Sequence, residues 1–448
     1  MSANKFMFNR NFICLFAVVF LSASSVLAQN ARIGSISPNQ AQTGATAFPI
    51  IVKGSNFAKN SVVQINGASL DTFYVSWNKL RAVVPANLAV SAGNLSVRVV
   101  KNTRVSNAVN LNISASPVGN YDWTALAAKL QTYISTATTL PPNTVRGLTM
   151  MISRHGKIVY SNAFGNQTTD SVLLIASSTK MPSMLAIMTL VDEGRLNLDA
   201  PISTYLSGFV TVPADKANVT MRMLMNHISG IGDESCLGDQ TITLQNCAQQ
   251  ILNAPLEFTP GTKFAYGGAS MQVAGYVAEV VSGQSWNQFF TSRVKNPLGL
   301  TRFTYGNSGN PRVAGGASSD VGDYTKIMQT YLSSGVFGNT RIISPKTYYE
   351  MQNNQKGSLE IANSPGGNTL TGYSYGWWQS DANYLRSQPL PQTVGLELSD
   401  QGLFGCTPWI DLEYNYTAII LINSRTPTGT AIWDGIRPLI IAQMRQTN

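Results

Sequence analysis

Ser177 and Lys180 are the two residues of this chain whose types and spacing could do chemistry together. Three positions apart, they share one face of a helix, a turn from each other. A serine hydroxyl is a poor nucleophile at its ordinary pKa, and a desolvated amine beside it can take its proton. That is the chemistry of acyl transfer through a covalent intermediate. Ser-x-x-Lys by itself also describes a helix N-cap followed by a solvated lysine. The rest of the chain must therefore supply partners in a consistent order.

Several elements must position the pair. Residues 172–176 form a short apolar run just before Ser177. From Lys180 onward Met184, Ile187, Met188 and Val191 fall at helical spacing and predict a buried stripe, closed at Glu193-Gly194. Helical patterning continues to about residue 300, broken by Pro201, Pro213, Pro255 and Pro260. Upstream, residues 121–136 have helical spacing through Trp123, Leu126, Leu130, Tyr133 and Ile134. Residues 148–153 and 157–161 read as two strands around the turn Arg154-His155-Gly156. There His155 takes the place an Asn or Asp usually holds, so it reads as a turn residue and not as a base. After Ser344-Pro345, strands return at 373–378, 406–411 and 417–422, and a last helix lies around 433–443. Strands at both ends with helices between them predict one α/β body with a mixed sheet and a helical subdomain.

Composition narrows the setting. Hydrophobic residues make up 44% of the 448 and charged residues 12%, a balance that argues against disorder and suits a secreted protein. Lys5 and Arg10, the apolar run 12–21 and Val26-Leu27-Ala28 form the pattern of an export leader over residues 1–28. The run is short for a stable membrane span. Loss of the leader would leave 29 basic against 22 acidic residues, a charge near +7, scattered without the clustering that nucleic acid requires. Cys236 and Cys247 bracket a short polar loop and suit a local disulfide, while Cys406 reads as a buried thiol. Two histidines and no Cys/His cluster call for no metal and no other cofactor.

Residues 31–115 are built differently, from short β-branched runs separated by turn signals such as Asn66-Gly67, the pattern of a small all-β sandwich. Ile36-Ser37-Pro38-Asn39, Val52-Lys53-Gly54-Ser55-Asn56-Phe57 and Val84-Pro85-Ala86 resemble the immunoglobulin-like IPT/TIG domain. The resemblance implies a spacer or a docking module toward a polymer or cell surface. Residues 116–120, with Pro117 and Gly119, form a linker to the second domain.

Residues 121–448 resemble the β-lactamase-related serine hydrolases, which include class C β-lactamases, D-Ala-D-Ala peptidases and esterases of the same fold. After Ser177-x-x-Lys180 come Leu190-Val191-Asp192-Glu193-Gly194 and Leu224-Met225-Asn226-His227-Ile228-Ser229-Gly230, then Thr259-Pro260-Gly261-Thr262-Lys263-Phe264-Ala265-Tyr266 and Pro297-Leu298-Gly299-Leu300, in the family's order. The resemblance implies Ser177 as acylated nucleophile, Lys180 as the amine that helps deprotonate it, and Tyr266 as the second-motif tyrosine that exchanges the proton. A phenol becomes a useful base only if a nearby ammonium lowers its pKa, and Lys180 is expected to supply that charge. Which of the two is the formal base stays open. His227 reads as a packing residue outside catalysis. The oxyanion hole is expected from the Ser177 and Leu403 N–H groups.

Two departures bear on substrate. The second motif is normally Tyr-x-Asn, and here Gly268 stands in the amide's place. The third motif, normally cationic, aligns with Asp400-Gln401-Gly402. With Gly268, Asp400, Gln401 and Gly402 expected to line the substrate side, Asp400 would repel a substrate carboxylate. The expected activity is hydrolysis of carboxylic esters or related acyl compounds, small or oligomeric. The alternatives are a β-lactamase or D-Ala-D-Ala carboxypeptidase, whose missing cation would then be Lys263 or Arg312, and a non-catalytic binding protein on a hydrolase scaffold.

Overall fold

The computed structural model describes residues 30–365, 372–380 and 397–446. The expected export leader lies outside the described residues. Residues 32–114 form two packed sheets. One runs in the order Arg32–Ser37, Phe48–Ser55, Lys79–Val84, Thr72–Ser76, and the other centres on Gly93–Lys101 between Val109–Ser114 and Ser61–Ile65. Ser61–Ile65 alternates, with Val63 and Ile65 inward and Val62 and Gln64 half-buried, as a strand with one wet face should.

Phe48–Val52 and Leu80–Val84 do not alternate; every residue is buried. One face of this sheet packs on the sandwich core, through residues such as Ile50, Val52 and Leu80. Its other face is covered by the second domain, so Ala47, Phe73 and Val83 belong to that domain's hydrophobic core. The Phe73 ring lies 4.3 Å from that of Tyr349 and 5.9 Å from that of Tyr348. The buried Arg81 guanidinium donates to the Leu332 carbonyl, Ser333 Oγ donates to the Ala47 carbonyl at 2.6 Å, and Arg341 pairs with Asp71. The sandwich is thus packed against its neighbour and not held apart from it by a linker.

The second domain is built on a seven-stranded sheet in the order Lys157–Gly165, Gly147–Arg154, Tyr416–Ile422, Thr407–Asp411, Glu397–Ser399, Trp377–Ser380, Gly372–Ser374. Neighbouring strands run antiparallel. Two strands come from the start of the domain and five from its end, which closes the body around the helices between. Thr124–Gln131 and Thr426–Gln446 cover one face, where Leu126 and Leu130 meet Trp433, Ile436 and Ile440. On the other face lies Val321–Leu332, in a hydrophobic core that also takes in Lys180–Asp192 and Ala269–Ser282. Among the described residues no helix is long and apolar enough to cross a membrane.

Several elements differ from the sequence reading. The helix expected over 121–136 covers only Thr124–Gln131, because Val145 draws Tyr133 and Ser135 into extended pairing. The strand expected over 373–378 is a tight hairpin that turns through Tyr375 and Gly376, both at positive φ. Glu397–Ser399 is a strand the sequence did not announce, and the last helix begins earlier, at Thr426. Lys180–Asp192 is not amphipathic: everything from Lys180 to Leu190 is buried. A helix apolar on every side belongs at the centre of a domain, and this one carries the Ser-Lys pair there. His155 sits at φ 47° in its hairpin turn, as expected.

Candidate active site

The central helix is entered through one tight turn, Ala176–Thr179. Ala176 has φ 46°, a left-handed conformation unusual for a residue with a Cβ, and it swings the chain from the short strand Leu173–Leu174 into the helix. The Ile175 N–H donates to the Ala317 carbonyl at 3.0 Å, and the Tyr324 hydroxyl donates to the Ser178 carbonyl at 2.7 Å. Ser177 is thereby presented at the floor of a cleft of about 300 Å³.

Lys180 Nζ lies 3.2 Å from Ser177 Oγ and donates to the Ala314 carbonyl at 2.9 Å. The lysine is only 3% exposed. Burial brings its pKa down to about 8, with Arg312 acting in the same direction and Asp400 and Glu234 opposing. Tyr266 arrives from the strand Lys263–Ala265, which pairs in parallel with Glu360–Asn363. Its N–H donates to the Asn363 carbonyl at 2.9 Å, and it lines the same cleft as Ser177.

Lys180 Nζ stands over the Tyr266 ring, 4.5 Å from its centroid. Burial pushes the Tyr266 phenol well above its ordinary pKa, and Asp400 and Glu234 push it further, while Ser177 opposes. The expectation that the lysine lowers the phenol's pKa is therefore corrected. An ammonium facing the ring gains from the π cloud and does not bear chiefly on the oxygen. Of the pair, Lys180 is the group that becomes neutral near physiological pH.

His227 packs behind Tyr266, the ring centroids 4.8 Å apart, with Nε2 3.0 Å from the Tyr373 hydroxyl. Burial, and Lys180 nearby, hold its pKa well below the ordinary value, so it is a neutral support for the tyrosine.

The third-motif residues are not where the sequence reading put them. Gly268 and Leu403 line the cleft; Asp400, Gln401 and Gly402 do not. Asp400 is fully buried behind the start of the central helix, where Oδ2 accepts the Met181 N–H at 3.3 Å. Burial drives its carboxyl pKa well up, against the pull of Lys180. It acts on Lys180 from below and cannot meet a substrate carboxylate. Gln401 donates back to Ser399 Oγ at 3.1 Å. Gly402 packs so closely that a Cβ would come within 2.1 Å of the Ile175 carbonyl oxygen. That approach turns the next residue outward, and the Leu403 N–H makes no hydrogen bond to another described residue. The N–H pair expected as an oxyanion hole belongs to two residues that line one cleft.

Three charged residues of the cleft are new or reassigned. Glu234 and Glu257 line it, and neither carried a motif signal in the sequence. Arg312 also lines it, whereas the other suggested cation, Lys263, is tied to Glu360 at 2.9 Å outside it. Among the described residues Arg312 makes no ion pair.

The pattern of the Beta-lactamase family matches residues 137–439, and that of the IPT/TIG domain matches residues 31–113. Over 140 residues the chain is 34% identical to Penicillin-binding protein 4 of Amycolatopsis lactamdurans, and over 204 residues 30% identical to Esterase EstB of Burkholderia gladioli. These stretches are 30% and 40% of this chain and span 36% and 51% of the two relatives. Among solved structures, "EstCE1, a hydrolase with promiscuous acyltransferase activity" shares the fold, with a TM-score of 0.56 and 21% identity over 72% of this chain and 98% of that one.

Proposed function

We propose that this chain, which belongs to the Beta-lactamase family and carries an IPT/TIG domain ahead of the matched region, is a serine hydrolase acting on carboxylic esters or related acyl compounds. The observation that carries the reading is the 3.2 Å approach of a buried amine, Lys180 Nζ, to Ser177 Oγ on the floor of a cleft. Neutral Lys180 takes the Ser177 proton as Oγ bonds to the substrate carbonyl carbon. The carbonyl oxygen, now negative, is held by the Ser177 and Leu403 N–H groups. The C–O bond to the alcohol breaks, and the alcohol leaves with the proton from Lys180, relayed through the Tyr266 hydroxyl. Water then attacks the acyl-serine, gives a proton to Lys180, and the acid departs as Ser177 regains its hydrogen. A high phenol pKa suits Tyr266 to relaying a proton it never permanently loses.

A carboxylate-bearing substrate, as in D-Ala-D-Ala peptides or β-lactams, is the second reading. Arg312 favours it, being a cation in the cleft without an ion-pair partner among the described residues. Export from the cytoplasm is part of the proposal, supported by the leader pattern of residues 1–28 and by the Cys236–Cys247 disulfide. Contact of the sandwich with a polymer or surface is a role for its exposed side chains, among which Val75, Trp77, Val90 and Val105 are the large apolar ones.

Reaction with a fluorophosphonate tests the nucleophile. Ser177 should carry the adduct, and Ser177→Ala should neither label nor hydrolyse a phenyl ester. A Ser177→Ala protein of full activity would end the assignment.

A further inference from the structure

We propose that Glu234 determines specificity in this cleft by reading a positive charge on the substrate, an ammonium next to the scissile carbonyl; the proposal rests on the acyl-hydrolase reading above. Glu234 comes from the loop 232–239 and reaches the two glycines that follow Tyr266. Its carboxylate accepts the Gly268 N–H. A Cβ at Gly267 would lie 2.9 Å from Glu234 Oε1, and one at Gly268 would lie 3.2 Å from it and 2.7 Å from Leu237 Cδ1. The space beside Tyr266 that side chains at 267 and 268 would take is thus filled by a carboxylate from another loop.

That loop is braced. The Cys236–Cys247 disulfide closes it two residues beyond Glu234. Asn310 Nδ2 donates to the Cys236 carbonyl at 3.0 Å and to the Asp239 carbonyl at 2.9 Å, while Asn310 Oδ1 accepts from Gln272 Nε2 at 2.7 Å. Gln272 sits on the first turn of Ala269–Ser282, the helix that starts straight after Gly268. The carboxylate and the glycines it touches are therefore cross-linked through Asn310, so Glu234 is placed with little freedom left to lose on binding.

Charge decides what such a group prefers. Glu257 adds a second carboxylate on the same side, close enough that a Cβ on Gly232 would lie 2.0 Å from its Oε1. Glu234 acts electrostatically on both Lys180 and Tyr266, which places its charge within range of the reacting centre. Among the described residues neither acid forms an ion pair with Arg312, although all three line one cleft. An ammonium on the acyl side of the ester gains from this wall, a neutral acyl group does not, and an anion there is opposed.

The test compares two isosteric substrates, phenyl glycinate and phenyl propionate (neutral), by phenol release from the full chain at about pH 6, where the α-amine of the glycinate is protonated and cationic. The quantity read is the ratio of their kcat/KM values, which a general loss of activity leaves unchanged. Glu234→Gln keeps an oxygen for the Gly268 N–H and removes the charge. The glycinate-to-propionate ratio should fall about tenfold in Glu234→Gln relative to the parent. A ratio unchanged in Glu234→Gln overturns the proposal. Should that variant not fold, the parent protein decides: its ratio should fall as salt rises from about 0.05 to about 0.5 M, and a ratio indifferent to salt overturns the proposal equally. Hydrolysis of phenyl propionate through Ser177 with no preference for the cation would leave the acyl-hydrolase reading standing and remove only this one.

Discussion

Lys180 Nζ meets Tyr266 through the face of its ring, 4.5 Å from the centroid, and meets Ser177 through its hydroxyl at 3.2 Å. The amine thus stands between the nucleophile's hydroxyl and the face of the phenol ring, in hydrogen-bond reach of the first.

The pH profile should show it. With Lys180 at about 8, the amine is protonated and idle below that pH and free to accept a proton above it. We expect kcat/KM to rise through about pH 8 to a plateau. Tyr266→Phe should lose at least about 10²-fold in kcat yet keep this limb, whereas Lys180→Ala should lose a comparable factor together with the limb. A limb that vanishes in Tyr266→Phe would make the tyrosine the base.

Gly402→Ala should cost at least about 2 kcal/mol of stability and most of the activity. The added methyl would press on the Ile175 carbonyl at 2.1 Å, and because that neighbour is backbone there is no cheap relief. Denaturant unfolding measures the first effect. Wild-type stability in this variant would mean that the turn before Ser177 yields.

Intact-mass alkylation of oxidised protein should count one thiol among Cys236, Cys247 and Cys406, and only after denaturation, since Cys406 is buried. Removing the disulfide with Cys236→Ser and Cys247→Ser should cost roughly 3 kcal/mol in the chain-entropy account.

Phe73→Ala, in the sandwich, should destabilise the hydrolase domain by about 3 kcal/mol, because Phe73 is part of that domain's core and packs on Tyr348 and Tyr349. The readout is loss of esterase activity on heating. An unchanged midpoint of inactivation would show the two domains to be energetically independent.

Asp411 provides a stability test. Burial and Glu397 raise its carboxyl to about 7, against 3.8 for the free group. A pKa raised in the folded state means that folding retains the proton: the contribution is full below about 3.8 and is lost as pH rises through about 7. Asp411→Asn keeps an oxygen to accept the Glu413 and Tyr414 N–H groups now bonded to Oδ1. Its melting temperature relative to the parent should therefore improve from pH 5 to pH 8. A constant difference across that range would place the titration elsewhere.

Much of the site was legible in the sequence because it is local. Ser177 and Lys180 are one helical turn apart, and Tyr266 follows a strongly patterned Pro-Gly turn, so short-range spacing carries them. The same holds for the His155 turn, the disulfide loop and the alternating strand Ser61–Ile65. Local pattern failed where a residue's surroundings come from far along the chain. Asp400 reads as a cleft residue from its motif position, yet packing against Met181, over two hundred residues earlier, takes it out of solvent and behind the lysine. Glu234 and Glu257 carry no signature, and only the folding of their loops across Gly268 and Gly232 makes them part of the cleft. The unbroken burial of Phe48–Val52 has the same origin, since a strand alternates only when one face stays wet, and here the second domain covers it. The sequence by itself determined which groups could react and in what order they come. Tertiary structure decided which were desolvated, which charges faced one another, and hence which amine could serve as a base, because dielectric and proximity are properties of the packed interior and not of the chain.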